Sequence, residues 1–276
     1  MYFMVLCVYM IIPEAIISDA DGTLVDTLHL IRHGQYEAFK TYFLGQGIDL
    51  IDIPDYEMYE PLLNQTVGGS AHDTLERTAR LVYRNQPHNL EDVDFDALHN
   101  LLNPIQDKIA PKFVKGYEGL PQFLTKLGHL SVKLAIFTSG TPHHIVRNIG
   151  LSLPELCMTE LYKDTNISDT EKLCIFENAV KTHYAIPDFT VVTCKDVSTH
   201  KPDPESINLA MHRLKVNPEK SIVLGDHPVD MIAGVHANIA TRIGVTHGFS
   251  EDRALIDAGA TRVVHSLNEL TDSLAV

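Results

Sequence analysis

The stretch Ala15-Ile16-Ile17-Ser18-Asp19-Ala20-Asp21-Gly22-Thr23-Leu24-Val25-Asp26-Thr27 decides how the chain is read. Its short apolar start has the composition of a strand buried on both faces, halted by a polar loop. Two carboxylates, Asp19 and Asp21, follow one residue apart. Gly22 comes next, a residue that permits a tight turn and a close approach of backbone to ligand. In an open parallel sheet, ligands bind in the crevice beyond the carboxyl ends of the strands. A pair of acids there serves as a cation site, as a nucleophile with its proton-transfer partner, or as both. Alone, Asp-x-Asp-Gly is equally the pattern of a surface turn or a calcium loop. An EF-hand loop, however, closes with Glu at its twelfth position, which here is Leu30.

The 276 residues suit a core domain joined to a smaller one. Apolar residues at 45% and charged residues at 21% describe a soluble globular protein. A net charge of −14 argues against nucleic acid or an anionic membrane as the main partner. Any anionic substrate must then meet local positive charge from a metal, a lysine or backbone amides. Cys7, Cys157, Cys174 and Cys194 form no CxxC pair and read as free thiols of a reducing, cytoplasmic compartment. Residues 1–12 are apolar but carry no Lys or Arg and are too short to span a bilayer. A signal peptide, an upstream extension and an added edge strand all remain open for them.

Residues 27–43 place Leu28, Ile31, Ala38, Phe39 and Tyr42 at helical spacing. Pro54, Pro61 and Gly68-Gly69 break that pattern. Ser70 to Asp73 resembles a capping box with Asp in place of Glu, opening a helix that carries Leu75, Ala79 and Val82. A further helix is expected over 95–109, ending at Pro111. No strand pattern interrupts 27–109, so an all-helical insertion is expected. Beyond it, strands at 133–137, 189–193, 221–224, 241–245 and 262–264 alternate with helices at 121–130, 142–149, 170–184, 204–214 and 228–237. Alternation of this kind implies parallel pairing with right-handed crossovers. The expected fold is α/β: a Rossmann-like three-layer core with a parallel sheet, made of residues 1–27 and 112–276, and a helical cap domain over 28–111.

Three strand ends and one loop then carry the chemistry: Asp19/Asp21, Thr138/Ser139, Gly225-Asp226-His227-Pro228-Val229-Asp230, and His200-Lys201-Pro202-Asp203-Pro204. Singly, each has a plainer reading. Asp226 is a turn acid, Lys201 a solvated surface lysine, Thr138 a helix N-cap and Asp230 an acid favouring a helix start. Together, and in this order, they resemble the haloacid dehalogenase-like hydrolase superfamily. The resemblance is greatest to the phosphoglycolate phosphatase and β-phosphoglucomutase-like branch, which carries a helical cap between its first and second motifs. It covers nearly the whole chain.

The resemblance implies a phosphatase acting on a small phosphorylated metabolite. A phosphate monoester dianion repels an attacking carboxylate, so charge must first be neutralised, and Mg²⁺ is the cation expected to do it. Asp19, the carbonyl of Asp21 and Asp226 would supply oxygens to the cation, and Asp230 would act from behind them by orienting a water or Lys201. Asp19 would be the nucleophile, forming an aspartyl-phosphate. Asp21 would be the general acid and then the base. Thr138 and Lys201 would hold the transferring phosphoryl group, with Gly22, Thr23, Ser139 and Gly140 lining its site.

Asp21 argues against the dehalogenase branch, which has no acid there, and the phosphonate-cleaving branch relies on a cap lysine and another residue at that place. The mutases of the branch match around Asp26-Thr27, yet where they carry a cap His and a cap Arg this chain has Ile31 and Ala71. A sugar-phosphate mutase and a non-catalytic binding protein of the same fold are therefore the alternatives to hydrolysis. Substrate choice is expected from the cap, with Arg32, His33, Tyr36, Lys40 and the Gly68-Gly69 loop as candidates. His143, His144 and His227 lack the spacing of a zinc site, and Asp196 reads as a loop or cap residue. Residues 153–187 form a longer interval than the family pattern contains, read as a structural elaboration. Oligomeric state is not legible.

Overall fold

The computed structural model describes residues 12–48, 53–66, 71–84 and 90–274. The apolar start over 1–11 with Cys7, the Gly68-Gly69 loop and Ser70 of the expected capping box lie outside them. Two compact units are present, one of residues 1–26 with 115–276, the other of residues 27–114.

The first unit is built on a six-stranded parallel sheet. Its central strand β1 (Ala15–Ser18) is wholly buried. After a two-residue strand β2 (Val25–Asp26), which pairs antiparallel with β3 (Lys115–Gly116), the sheet continues with β4 (Lys133–Phe137), β5 (Phe189–Val192), β6 (Ser221–Gly225), β7 (Thr241–Val245) and β8 (Arg262–Val264). The strand order is β5-β4-β1-β6-β7-β8. Ile16 sits level with Leu134 and Ile222, and Ile17 with Ala135 and Val223. Because successive side chains leave opposite faces, Ile16, Leu134 and Ile222 enter one buried cluster and Ile17, Ala135 and Val223 the other. A strand covered on both faces needs a continuous apolar run, which is why residues 15–17 lack alternation.

In the second unit, α1 (Leu28–Gly45), α2 (Tyr56–Asn64), α3 (Ala71–Val82), α4 (Phe95–Asn100) and α5 (Leu102–Phe113) enclose Phe39, Phe43, Tyr59, Leu63, Leu75 and Leu98. The expected 95–109 helix is two helices, and α5 runs past Pro111 to Phe113. A proline that close to a helix C-terminus removes one of the last backbone bonds, and the helix stops two residues later.

The first unit then contributes α6 (Leu120–His129), α7 (Pro142–Ser152) and α8 (Asp169–His183), and later α9 (Glu205–Leu214) and α10 (Pro228–His236). Two short helices, α11 (Asp252–Asp257) and α12 (Leu267–Ser273), have no counterpart in the sequence expectation. Helices α6, α7, α8 and α12 cover the Ile16 face, while α9, α10 and α11 cover the Ile17 face. From β1 the chain winds outward through β4 and β5, then crosses back to place β6 on the other flank of β1. The winding direction therefore reverses beside β1, the position at which open sheets leave a crevice.

Candidate active site

Register brings three chain-distant loops to that crevice. Ser18 is level with Ile136 and with Leu224, so Asp19, Thr138 and Asp226 leave neighbouring strands at the same edge. The Asp19 amide donates to the Leu224 carbonyl at 2.8 Å, and the Thr138 amide to Val192 at 2.9 Å, continuing the ladder into the loops.

Asp19, Asp226 and Asp230 are all buried, and one carboxylate oxygen of each lies within 4.8 Å of the others. Lys201 answers them. Its Nζ donates to Asp19 Oδ1 and, at 2.8 Å, to Asp230 Oδ1, and it stands 3.9 Å from the centre of the Phe137 ring. Burial alone would lower the proton affinity of this amine, but Asp19 and Asp230 outweigh that and raise it. The loop that delivers Lys201 contains a cis Lys201–Pro202 peptide. Glu205, at the start of α9, accepts hydrogen bonds from the amides and hydroxyls of Ser198 and Thr199. These bonds, from the Thr199 hydroxyl first, pull its carboxyl down to about 2. Lys201 is thus no solvated surface lysine.

Asp226 accepts from the Thr23 hydroxyl and from the Phe249 amide, each at 2.7 Å. Thr23 also lies 3.5 Å from Asp19 Oδ2. One ammonium does not balance three carboxylates in a site this dry. Burial raises the Asp226 carboxyl to about 7, with Asp230 reinforcing it against the Phe249 amide, Thr23 and Lys201. Burial likewise raises Asp19, with Asp230 and Asp226 adding to it and Lys201 opposing. Hard carboxylate oxygens with surplus negative charge fit a divalent cation of the Mg²⁺ type.

Three glycines allow this crowding. Gly22 has φ +87°, and a Cβ there would fall 2.3 Å from Asp226 Oδ2. One on Gly248 would fall 2.2 Å from the same oxygen, and one on Gly225 2.5 Å from Asp230 Cβ.

Asp230 does two things at once. One oxygen holds Lys201, and the other accepts from the His227 amide at 3.1 Å, closing the N-terminus of α10 with His227 as its cap. Thr138 is not the cap of α7; Thr141 is, paired with His144. The Thr138 hydroxyl instead accepts from the Gly140 amide at 2.9 Å, while Ser139 beside it is exposed. Asp21 is half-buried and accepts from Asn148 Nδ2 at 2.9 Å.

The loop after β7 carries no motif that marks it in the sequence. There His247 Nε2 lies 2.9 Å from the Thr23 carbonyl, its ring stacks on Tyr117 at 3.7 Å, and the Phe249 amide reaches Asp226. Asp196 proves a loop residue, accepting from Thr193 and Arg213. In the helical unit Arg32 pairs with Glu60 at 2.8 Å, His33 stacks against Tyr56 and Phe113, Tyr36 donates to the Pro54 carbonyl, and Lys40 lies over Tyr36. Among the described residues no helix is long and apolar enough to cross a membrane.

Comparison with known proteins agrees with this geometry. The pyrophosphatase PpaX of Oceanobacillus iheyensis is 25% identical over 83% of this chain and 81% of its own. A phosphorylated carbohydrates phosphatase of Thermotoga maritima is 25% identical over 91% and 94%. The crystal structure of CbbY from Rhodobacter sphaeroides in complex with phosphate has the same fold, with a TM-score of 0.60 at 22% identity, over 94% of this chain and 97% of that one. The family model of haloacid dehalogenase-like hydrolases matches residues 13–238, and the chain belongs to that family of hydrolases.

Proposed function

We propose that the protein is a Mg²⁺-dependent phosphatase that hydrolyses a small phosphate monoester through an aspartyl-phosphate on Asp19. The observation that carries the reading is the Lys201 ammonium held against both Asp19 and Asp230, with Asp226 beside them, at the reversal point of the sheet.

Asp19 and Asp226, with the Asp21 carbonyl, would hold the cation, and Asp230 would act from behind through Lys201. Bound there, the cation neutralises the phosphate dianion and polarises its oxygens. Lys201 fixes Asp19 Oδ1 and places positive charge where the phosphoryl oxygens gather theirs. Asp19 attacks phosphorus, the bond from phosphorus to the leaving oxygen breaks, and its electron pair takes the proton of Asp21. Asp21, now a carboxylate, takes a proton from water. The water oxygen attacks phosphorus, the bond to Asp19 breaks, and phosphate leaves. Thr138 and the Ser139 amide bind the phosphoryl group beside the turn of Gly22 and Thr23, while the Gly140 amide holds the Thr138 hydroxyl in place.

The names of the relatives support a phosphorylated small molecule, such as a phosphorylated carbohydrate, as substrate. Cys157, Cys174 and Cys194 carry free thiols, which supports a cytoplasmic setting. The test is release of inorganic phosphate with Mg²⁺ from a panel of sugar phosphates, phosphoglycolate, pyrophosphate and a hexose 1-phosphate. Asp19→Asn is expected to reduce it at least about 10³-fold. Isomerised hexose phosphate without net phosphate release would point to a mutase instead, and retained turnover in Asp19→Asn would sink the mechanism.

A further inference from the structure

Asp21 does not stand alone. On α7, Asn148 is 3% exposed and donates from Nδ2 to Asp21 Oδ1 at 2.9 Å. The neighbouring Arg147, 1% exposed, donates from Nε to Asn148 Oδ1, also at 2.9 Å. An amide cannot be oriented from its shape alone, but here its partners orient it. A guanidinium is donor only, so the oxygen of Asn148 must face Arg147. The amide nitrogen is thereby turned to Asp21, as a donor that Asp21 cannot reverse.

We infer that Asn148, locked by Arg147, is a positioning residue that fixes the rotamer of Asp21 and confines its acidic proton to Oδ2. An N–H bonds a carbonyl or carboxylate oxygen more strongly than a hydroxyl oxygen, so the bond from Asn148 favours Oδ1 as the acceptor in both charge states and leaves Oδ2 to carry the proton that moves. As the phosphorus–oxygen bond breaks, that proton passes to the leaving oxygen while Asn148 keeps its bond to Oδ1. The same oxygen, Oδ2, then takes the proton of the attacking water. Two side chains adjacent on one helix thus act on a loop residue 127 positions away in sequence. A buried Arg-to-Asn-to-Asp relay is costly to build for packing alone, since each member must be satisfied.

The inference rests on Asp21 being the acid of the proposed reaction, and the test separates the two. Release of the leaving group in a single turnover with excess enzyme and Mg²⁺, which reads the first step apart from the shared water step, is measured on p-nitrophenyl phosphate, whose leaving group departs without a proton, and on an alkyl phosphate such as glycerol phosphate, whose leaving group needs one. Asn148→Ala is expected to slow this release from the alkyl phosphate by about 10- to 100-fold, part of the roughly 10²- to 10⁴-fold that general-acid catalysis supplies, and from p-nitrophenyl phosphate by less than about 3-fold, with the half-saturating concentration of both little changed. In an Asp21→Asn background it is expected to add nothing. Should Asn148→Ala fold poorly, Asn148→Ser keeps a neutral polar side chain that is too short to reach Asp21 Oδ1, and the same selective loss is expected. If Asp21→Asn itself spares the alkyl phosphate, the reading of Asp21 has failed. If Asp21→Asn shows the selective loss while the Asn148 variants lose both substrates equally, or neither, the positioning role is overturned.

Discussion

Lys201 is the residue on which the electrostatics of the site turn. Its side chain is 6% exposed and is shared between two carboxylates that are themselves buried. Lys201→Met keeps the bulk over Phe137 and removes the charge. It leaves Asp19 and Asp230 facing each other unpaired, a loss that in buried pairs costs about 3–5 kcal/mol. In urea titrations at neutral pH without Mg²⁺ the variant is expected to lose about that much, and phosphate release is expected to fall at least about 10³-fold. Wild-type stability in the variant would mean that Lys201 is not the counter-ion. Asp19, Lys201 and Asp226 were legible in the sequence because ionisable groups at strand ends have few other uses when they occur together. Asn148 and His247 were not, and Thr23 was read as lining the phosphoryl site rather than as a donor to Asp226. Their roles rest on a hydroxyl, an amide and a ring nitrogen whose partners lie far off in the chain, and no local pattern marks such a partner.

At the level of elements, the loop of residues 246–249 seals the site through its backbone. The Phe249 amide that reaches Asp226 is a group every non-proline residue owns, so composition carries no trace of it. Gly248 is the visible sign, a glycine just past a strand end. Gly248→Ala would drive a methyl to 2.2 Å from Asp226 Oδ2 and 2.3 Å from the Gly22 carbonyl, neither of which has room to retreat. The loop must shift, at about 1–3 kcal/mol of strain, and Asp226 loses an amide donor. Mg²⁺ titrated against turnover is expected to show a 10- to 100-fold weaker apparent affinity, the size typical of damage behind metal ligands. Gly45→Ala, whose added methyl meets nothing within 4 Å, is the control and is expected to change neither property. Strands β4, β7 and β8 coincide with their sequence expectation because apolar runs bounded by turns are local signals. Helices α11 and α12, of six and seven residues, are too short to repeat an apolar face over several turns, and α5 runs on past Pro111 because so near its end the proline removes a single backbone bond.

For the molecule as a whole, the sheet and the helical segment were legible from the switch in apolar period, whereas its stability against pH depends on charges that only the fold assembles. The folded Asp226 carboxyl holds its proton to about 7, against about 3.9 for an unfolded Asp. Between those values the unfolded chain has released a proton that the native site keeps. The native state then binds more protons than the unfolded one, so stability falls as pH rises across this window and levels off above it. Each such carboxyl contributes a slope of up to about 1.4 kcal/mol per pH unit, and Asp19 acts in the same sense. Cation binding needs these groups ionised, so it competes with the protons and grows stronger as pH rises through the same range. Thermal melts in EDTA are therefore expected to fall from pH 5 to pH 7.5 relative to Asp226→Asn, which cannot titrate there. The rise in Tm on adding saturating Mg²⁺ is expected to be small at pH 5 and larger at pH 7.5. Parallel melting curves for wild type and Asp226→Asn across that range would show that the buried acids carry no surplus charge, and a Mg²⁺ effect independent of pH would place the cation away from them.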